Sequence, residues 1–233
     1  KRDPRVVILT PTRELAKQVF AQLRLFTSGT QFKSVLILGG ENFNDQVKVL
    51  EKDPQFIVAT PGRLADHLSQ GHFYLHGLEL LILDEADRML DLGFSKQLKQ
   101  INQAADHRKR QTLMFSATLD HAQVNDFALE LLNKPKRIAI GHAHTEHKDI
   151  NKRFYLCDHL DHKQALLEHF LAHEDYQQMI IFTATRGDTE RLSKELSEQG
   201  LSTVALSGDL NQSQRNQIMD GFSKGQQKIL ITT

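Results

Sequence analysis

Residues 80–87 read Leu80-Leu81-Ile82-Leu83-Asp84-Glu85-Ala86-Asp87, an aliphatic run that passes directly into an acidic segment. A short continuous aliphatic run is typical of a parallel strand buried on both faces. Ligands bind at the carboxyl ends of such strands. The pattern therefore predicts a nucleotide site in which Asp84 holds Mg²⁺, directly or through water, and Glu85 orients or deprotonates the attacking water. The alternative is an acidic first turn of an ordinary helix.

Further aliphatic runs before and after this segment predict the other strands of the same sheet. With Leu78–Asp84, the predicted strands are Val6–Thr10, Ser34–Leu38, Phe56–Thr60, Thr112–Ser116 and Arg137–Ile140. They alternate with amphipathic stretches such as Glu14–Phe26 and Gln123–Leu132, which predict helices. Alternation of this kind indicates βα units and a parallel α/β sheet.

The alternation breaks at Gly141–Asn151, which is polar and has no apolar period. Its histidines His142, His144 and His147 are metal-ligating residue types, but no cysteine accompanies them and the segment has no periodic pattern, so it is interpreted as a linker. The predicted division is a first domain over 1–140, a linker over 141–150 and a second domain over 151–233.

After the linker the same alternation restarts and predicts a second, smaller α/β domain. The predicted strands are Arg153–Cys157, Met179–Thr183, Ser202–Leu206 and Lys228–Ile231, and the predicted helices are Lys163–His173, Thr189–Gln199 and Gln214–Phe222. Cys157 is expected to be a small buried group within its strand.

Composition limits the function classes that fit this chain. Lys+Arg and Asp+Glu are equal at 29 each. A neutral protein of this kind does not hold nucleic acid by bulk charge, so a nucleic-acid partner requires local contacts. The single cysteine excludes an internal disulfide and predicts a cytoplasmic protein. No stretch approaches the ~20 apolar residues of a membrane span.

Three turns that follow predicted strands carry groups suited to phosphates: Pro11-Thr12-Arg13, Gly39-Gly40 and Thr60-Pro61-Gly62-Arg63. Backbone N–H groups, hydroxyls and arginines at helix starts can face a phosphate, and glycine permits close backbone approach. Plain strand-to-helix turns are the alternative. Together the three turns predict a track that binds sugars and phosphates of a single strand rather than bases.

The same segments occur in the order of a known motif set. Asp84-Glu85-Ala86-Asp87 spells the four-residue acidic box after which the family is named. Four other segments match its further motifs: Pro11-Thr12-Arg13-Glu14-Leu15-Ala16 matches motif Ia, Gly39-Gly40 matches the GG motif, Thr60-Pro61-Gly62-Arg63 matches motif Ib and Ser116-Ala117-Thr118 matches motif III. Ile180-Ile181-Phe182-Thr183 matches motif IV, Gln212-x-x-Arg215 after Gly208 the QxxR motif, and Ile229-Leu230-Ile231-Thr232-Thr233 the opening of motif V. The chain thus resembles the DEAD-box ATP-dependent RNA helicases of superfamily 2. The stretch Tyr155–Lys163 adds a likeness to the bacterial SrmB-type ribosome-assembly helicases.

The resemblance implies two tandem RecA-like domains, ATP and Mg²⁺ as cofactors, RNA as the substrate and a monomer, with ribosome-assembly proteins as expected partners. It implies catalytic roles for Asp84, Glu85, Asp87, Ser116 and Thr118, with Ser116 and Thr118 bonded to Asp87 to couple the nucleotide site to RNA. It implies RNA contacts by Pro11, Thr12, Arg13, Gly39, Gly40, Thr60, Pro61, Gly62, Arg63, Thr183, Gly208, Gln212, Arg215 and Thr233.

Three parts of the family pattern do not occur in the sequence: the phosphate loop G-x-x-x-x-G-K-[ST], the adenine-reading Q motif and the arginine-rich motif VI. Truncation at both ends is therefore expected, with an inactive fragment and a first domain whose independent folding is in doubt. In the complete protein, ATP and RNA are expected to close the two domains into a clamp that bends RNA. The alternatives are an RNA clamp without hydrolysis and a DNA helicase or translocase.

Overall fold

The computed structural model describes residues 3–107, 109–119, 121–140 and 150–233. The chain divides into two compact units, Lys1–Ile150 and Asn151–Thr233. The predicted linker and its three histidines lie, apart from its last two residues, outside the described residues. Among the helices of the described ranges, none is long and apolar enough to cross a membrane.

The first unit is built on a parallel sheet whose strands end at the same level. Its five strands are β1 (Val6–Leu9), β2 (Ser34–Ile37), β3 (Phe56–Ala59), β4 (Leu80–Leu83) and β5 (Gln111–Met114), in the order β2-β3-β1-β4-β5. Leu9 lies opposite both Ala59 and Leu83, and these in turn lie opposite Ile37 and Met114. The residues that follow each strand therefore emerge side by side along one edge of the sheet.

Helices cover both faces of this sheet, which explains why its strands are mostly apolar. They are α1 (Arg13–Thr27), α2 (Phe43–Leu50), α3 (Pro61–Ser69), α4 (Ala86–Asp91), α5 (Ser95–Ala104) and α6 (Ala122–Leu131). Val7 and Leu9 join a large core cluster with residues of α3 to α6, whereas Ile8 and Val58 pack on the opposite face with Ala16 of α1. Alternate residues of one strand point to opposite faces, so both sets are buried.

The second unit repeats the plan on a smaller scale. Strands β6 (Met179–Phe182), β7 (Thr203–Leu206) and β8 (Ile229–Thr232) form a parallel sheet in the order β6-β8-β7, with helices α7 (Leu160–His173), α8 (Arg186–Glu198) and α9 (Gln212–Ser223). Its core contains Leu171, Leu192, Leu196, Ile229 and Ile231. Thr232 lies opposite Phe182 and Leu206, so these strands also end level. The predicted α/β class with parallel sheets is confirmed.

Two predicted strands are wrong: Arg137–Ile140 and Arg153–Cys157 form neither strand nor helix. A strand exists only where a neighbouring strand accepts its hydrogen bonds, and no described strand pairs with either segment. Their apolar side chains are accordingly exposed, Ile140 and Leu156 to 97% each. Cys157 is half-buried and outside any strand, so the expectation of a buried strand cysteine is also wrong.

Candidate functional site

Five loops lie next to one another along the carboxyl edge of the first sheet. In spatial order they follow β2, β3, β1, β4 and β5. The three turns predicted to face phosphates occupy the first three places, and the acidic segment and Ser116-Ala117-Thr118 occupy the last two. The edge thus carries a polar half, formed by the three turns predicted to face phosphates, and an acidic half, and the two halves meet where β1 pairs with β4.

The acidic half is centred on a sharp turn at Asp84-Glu85. Asp84 is half-buried, and one of its carboxylate oxygens accepts the Glu85 N–H at 3.1 Å. Glu85 is exposed and adopts a left-handed backbone with φ 50° and ψ 54° at the start of α4. The Ala86 N–H donates to the Phe115 carbonyl at 2.9 Å, which holds this turn against the end of β5. Both carboxylates consequently border an open pocket that Ser116 also lines.

Asp87 connects the acidic segment to the loop after β5. The Thr118 hydroxyl donates to the Asp87 carboxylate at 2.7 Å, and the Arg88 N–H donates to its other oxygen at 3.0 Å. Burial acts to raise the pKa of Asp87, but the hydrogen bonds from Thr118, Arg88 and the Ser116 hydroxyl outweigh it and lower the pKa below its ordinary value. The contact that the resemblance implied is therefore present, and Asp87 is an ionised acceptor at neutral pH.

The donor set of this pocket suits Mg²⁺ in one respect, since carboxylate oxygens are the ligands that this ion prefers. Asp84, Glu85, Asp87 and Asp91 all line it. Within the described ranges, however, no group of three or more metal-ligating side chains is close enough to hold an ion unaided. The residues fit an ion that is shared with nucleotide phosphates and water, which is the usual mode for Mg²⁺.

On the other half of the edge, Gly40 packs against an arginine of the turn after β1. Gly40 has φ +79°, and a Cβ built on it would lie 2.6 Å from a terminal nitrogen of Arg13. Arg13 opens α1, as predicted, and the hydroxyl of the preceding Thr12 accepts the Leu15 N–H at 3.3 Å. Glycine is favoured here because the left-handed backbone, with φ +79°, is strained for a residue with a Cβ, and a Cβ would also require the Arg13 guanidinium to shift.

The third turn departs from its prediction. The sequence placed Arg63 at the head of a helix, but α3 begins at Pro61, which is buried. Arg63 lies within the first turn and donates to the Glu41 carbonyl at 2.8 Å. The Thr60 hydroxyl accepts the Gly39 N–H at 3.3 Å, so the turn after β3 is bonded to the turn after β2.

In the second unit, Thr183, Gly208 and Thr233 follow the three strand ends and so share one edge. The Thr183 N–H donates to the Thr232 carbonyl at 2.8 Å. Gln212 is the first residue of α9, and Arg215 is exposed in the first turn of that helix.

Arg186 at the same edge was missed by sequence reasoning. It opens α8 and forms an ion pair with Asp209. Its place directly after a strand and at a helix start is the same signal that identified Arg13, and it was available in the sequence.

Two buried side chains below the glycine turn were also missed. Gln46 and His67 are 4% and 0% exposed, and both are hydrogen-bonded to residues of the edge or to each other. No linear motif marks them, because their partners lie in other elements.

Comparison with known proteins agrees with this geometry. The DEAD/DEAH box helicase family matches residues 1–127, and the helicase conserved C-terminal domain matches residues 161–233. The chain is 38% identical over 231 residues to the ATP-dependent RNA helicase SrmB of Haemophilus influenzae, covering 99% of this chain and 52% of that protein. It is 36% identical to the ATP-dependent RNA helicase RhlB of Xanthomonas oryzae, and this match covers 99% of this chain and 40% of that protein. The chain thus spans about half the length, or less, of these relatives.

Solved structures give the same result at the level of the fold. Dbp5 of S. cerevisiae bound to RNA and ADP BeF3 matches with a TM-score of 0.81 and 27% identity, covering 100% of this chain and 58% of that one. A DEAD box protein from Methanococcus jannaschii matches with a TM-score of 0.57 and 31% identity, covering 100% and 62%. Both units are therefore RecA-like. With the acidic segment at a parallel sheet edge and the motif set in order, these matches establish that the chain belongs to the DEAD/DEAH box helicase family.

Proposed function

We propose that the full-length protein is an ATP-dependent RNA helicase that unwinds short RNA duplexes by RNA-stimulated ATP hydrolysis. The observation that carries the proposal is the hydrogen bond between Thr118 and Asp87. It joins the acidic segment to the loop after the neighbouring strand, on the same sheet edge as the three backbone-binding turns. A change at the acidic segment can therefore be felt at the loop after β5.

In this proposal the acidic half serves nucleotide hydrolysis. Asp84 would hold Mg²⁺, directly or through water, and Glu85, which is exposed beside it, would orient or deprotonate the water that attacks the γ-phosphate. When bound, Mg²⁺ neutralises charge that develops on the β- and γ-phosphates. Asp87 remains an ionised hydrogen-bond acceptor and fixes the loop of Ser116 and Thr118.

The other half binds the RNA backbone. Thr12, Arg13, Gly40 and Arg63 supply hydroxyl, guanidinium and close-approach positions on adjacent loops, and in this proposal they contact sugars and phosphates rather than bases. Contacts to sugars and phosphates carry no sequence information. A 2′-hydroxyl contact would distinguish RNA from DNA. The net charge of zero agrees with binding by local contacts rather than by a basic surface.

The mechanism we propose is a clamp. ATP and RNA together favour a closed arrangement of the two units, closure bends the bound strand, and a short duplex opens as a result. Hydrolysis and phosphate release then reopen the protein. The likeness to SrmB-type helicases supports a role in ribosome assembly in the cytoplasm, by a monomer that works with ribosome-assembly proteins.

A strand-displacement assay on matched RNA and DNA duplexes tests this function. The full-length protein with ATP should release the short strand of the RNA duplex and leave the DNA duplex intact. Release from both duplexes would favour a DNA helicase or translocase. Binding of RNA with no release and no ATP turnover would favour an RNA clamp without hydrolysis.

A further inference from the structure

A polar network is buried beneath the turn after β2. Gln46 of α2 and His67 of α3 are 4% and 0% exposed. Burying polar groups in a core is unfavourable unless each finds a hydrogen-bond partner. Their partners therefore indicate what the two residues do.

The directions of the hydrogen bonds follow from the donors. The Gln46 amide nitrogen donates to the Leu38 carbonyl at 2.8 Å, so its oxygen is an acceptor. That oxygen lies 3.1 Å from an Arg63 guanidinium nitrogen and 3.0 Å from Nε2 of His67. Since Gln46 accepts from Nε2, His67 carries its proton there, and its Nδ1 accepts from Nδ1 of His72 at 3.1 Å. The chain of bonds is thus satisfied in one arrangement.

An aromatic ring fixes the same groups from the side. Phe43 stacks on His67 with ring centroids 4.0 Å apart and an angle of 10° between the planes. The Arg63 guanidinium lies 5.4 Å from the centre of the same ring. Burial, followed by the charges of His72 and Arg63, lowers the pKa of His67 to about 4, so its ring is neutral at physiological pH. A neutral ring keeps the donor and acceptor roles constant.

The network binds the glycine turn on both sides. Leu38, which accepts from Gln46, directly precedes Gly39-Gly40. Glu41, whose carbonyl accepts from Arg63, directly follows it. Gln46 holds Arg63 in the position from which that arginine reaches Glu41. One buried amide thereby fixes both ends of a turn and the arginine beside it.

We infer that Gln46 and His67 are positioning residues that set the Gly39-Gly40 turn and Arg63 for the RNA backbone without touching RNA. The inference rests on the proposed function, because it assigns Gln46 and His67 to the RNA-binding half of that site. Its consequence is that RNA affinity depends on this buried network. Nucleotide binding at the acidic half of the edge should not depend on it.

The test uses Gln46→Met in the full-length protein, which keeps the side-chain length and removes all three hydrogen bonds. The dissociation constant for a fluorescent single-stranded RNA should rise about tenfold, while the KM for ATP and the kcat at saturating RNA stay within about twofold. Gln46→Glu keeps the acceptor for Arg63 and His67 and should give a dissociation constant for RNA between those of the unaltered protein and Gln46→Met. This second variant replaces Gln46→Met in the test if the methionine variant does not fold.

Two controls separate the possible outcomes. Leu50→Ala creates a cavity near the end of the same helix and should lower the melting temperature without changing RNA affinity. Arg63→Ala should weaken RNA binding, and the Gln46→Met/Arg63→Ala double variant should lose less than the product of the two single effects.

If Arg63→Ala weakens RNA binding but Gln46→Met does not, the positioning role is wrong and the proposed function stands. Equal loss of RNA affinity in Gln46→Met and Leu50→Ala would reduce Gln46 to a structural role and overturn the inference. If Arg63→Ala binds RNA like the unaltered protein, the RNA-binding half of the proposed function fails and the inference fails with it.

Discussion

At the scale of single residues, the acidic segment shows how one short sequence places three carboxylates in different surroundings. Glu85 is exposed in a left-handed backbone conformation, which costs a residue with a Cβ on the order of 1–2 kcal/mol. Asp84 accepts from the next N–H in the chain, and Asp87 accepts from Thr118 across the edge. These surroundings assign different tasks to the three acids within one turn.

Thr118 provides the most direct test of coupling at this scale. Thr118→Val keeps the shape and removes the donor to Asp87, a hydrogen bond to a charged group worth about 1.5–3 kcal/mol. We expect a lower free energy of unfolding in urea and a smaller stimulation of ATP hydrolysis by RNA in the full-length protein, with ATP binding retained. Thr118→Ser keeps the hydroxyl and should behave like the unaltered protein. Equal stimulation in all three would contradict the coupling role.

His67 makes a prediction about pH. In the unfolded chain this side chain binds a proton near pH 6.5, whereas in the folded protein it does so only near pH 4. Between these values the unfolded state binds more protons, so the free energy of unfolding falls as the pH is lowered through this window. The contribution is on the order of 3 kcal/mol. In urea unfolding at pH 7, 6 and 5, the free energy of unfolding should depend less on pH in His67→Gln than in the unaltered protein. The same pH dependence in both proteins would contradict this role of His67.

At the scale of elements, the site forms because the strands of the sheet end at the same level, so that the loops after them lie side by side. Largely apolar runs such as Leu80–Leu83 overlap every described strand of both sheets, because strands that are covered on two faces are mostly apolar. Arg137–Ile140 and Arg153–Cys157 have similar apolar content and were predicted wrongly. These two segments differ from the true strands because no described strand lies beside them to form hydrogen bonds. Whether such a neighbour exists depends on residues far away in the chain and leaves no local signal.

The candidate site divides in the same way. The acidic segment and the phosphate-facing turns were predictable, since each is a contiguous motif at a strand end. The roles of Gln46 and His67 were not, because their partners come from the turn after β2, from α2 and α3, and from the segment after α3. The position of Arg63 depends on the same contacts.

Substituting alanine for each of the two glycines of the turn after β2 is predicted to change the free energy of unfolding by different amounts. Gly40 has a positive φ and a Cβ on it would meet Arg13, whereas a Cβ on Gly39 would have nothing within 4 Å. Gly40→Ala should therefore lower the free energy of unfolding by about 1–2 kcal/mol. Gly39→Ala is the matched control and should be neutral or slightly stabilising. Equal effects of the two substitutions in urea unfolding would argue against the described turn.

At the scale of the whole molecule, the two units use one plan. Each is a parallel sheet whose carboxyl edge collects the candidate groups, from Thr12 and Asp84 in the first unit to Thr183 and Thr233 in the second. The charge is balanced across the chain. In the proposed mechanism, function depends on local geometry at these edges and on how ATP and RNA together change the population of the closed state.

The measurement that bears most directly on this account is ATP hydrolysis by the full-length protein, with and without RNA, compared with its Glu85→Gln variant. The substitution keeps the size of the side chain and removes the carboxylate that orients or deprotonates water. We predict RNA-stimulated turnover that vanishes in Glu85→Gln, while that variant still binds ATP and RNA. Turnover that is unchanged in Glu85→Gln, or absent from both proteins while RNA binding persists, would contradict the account.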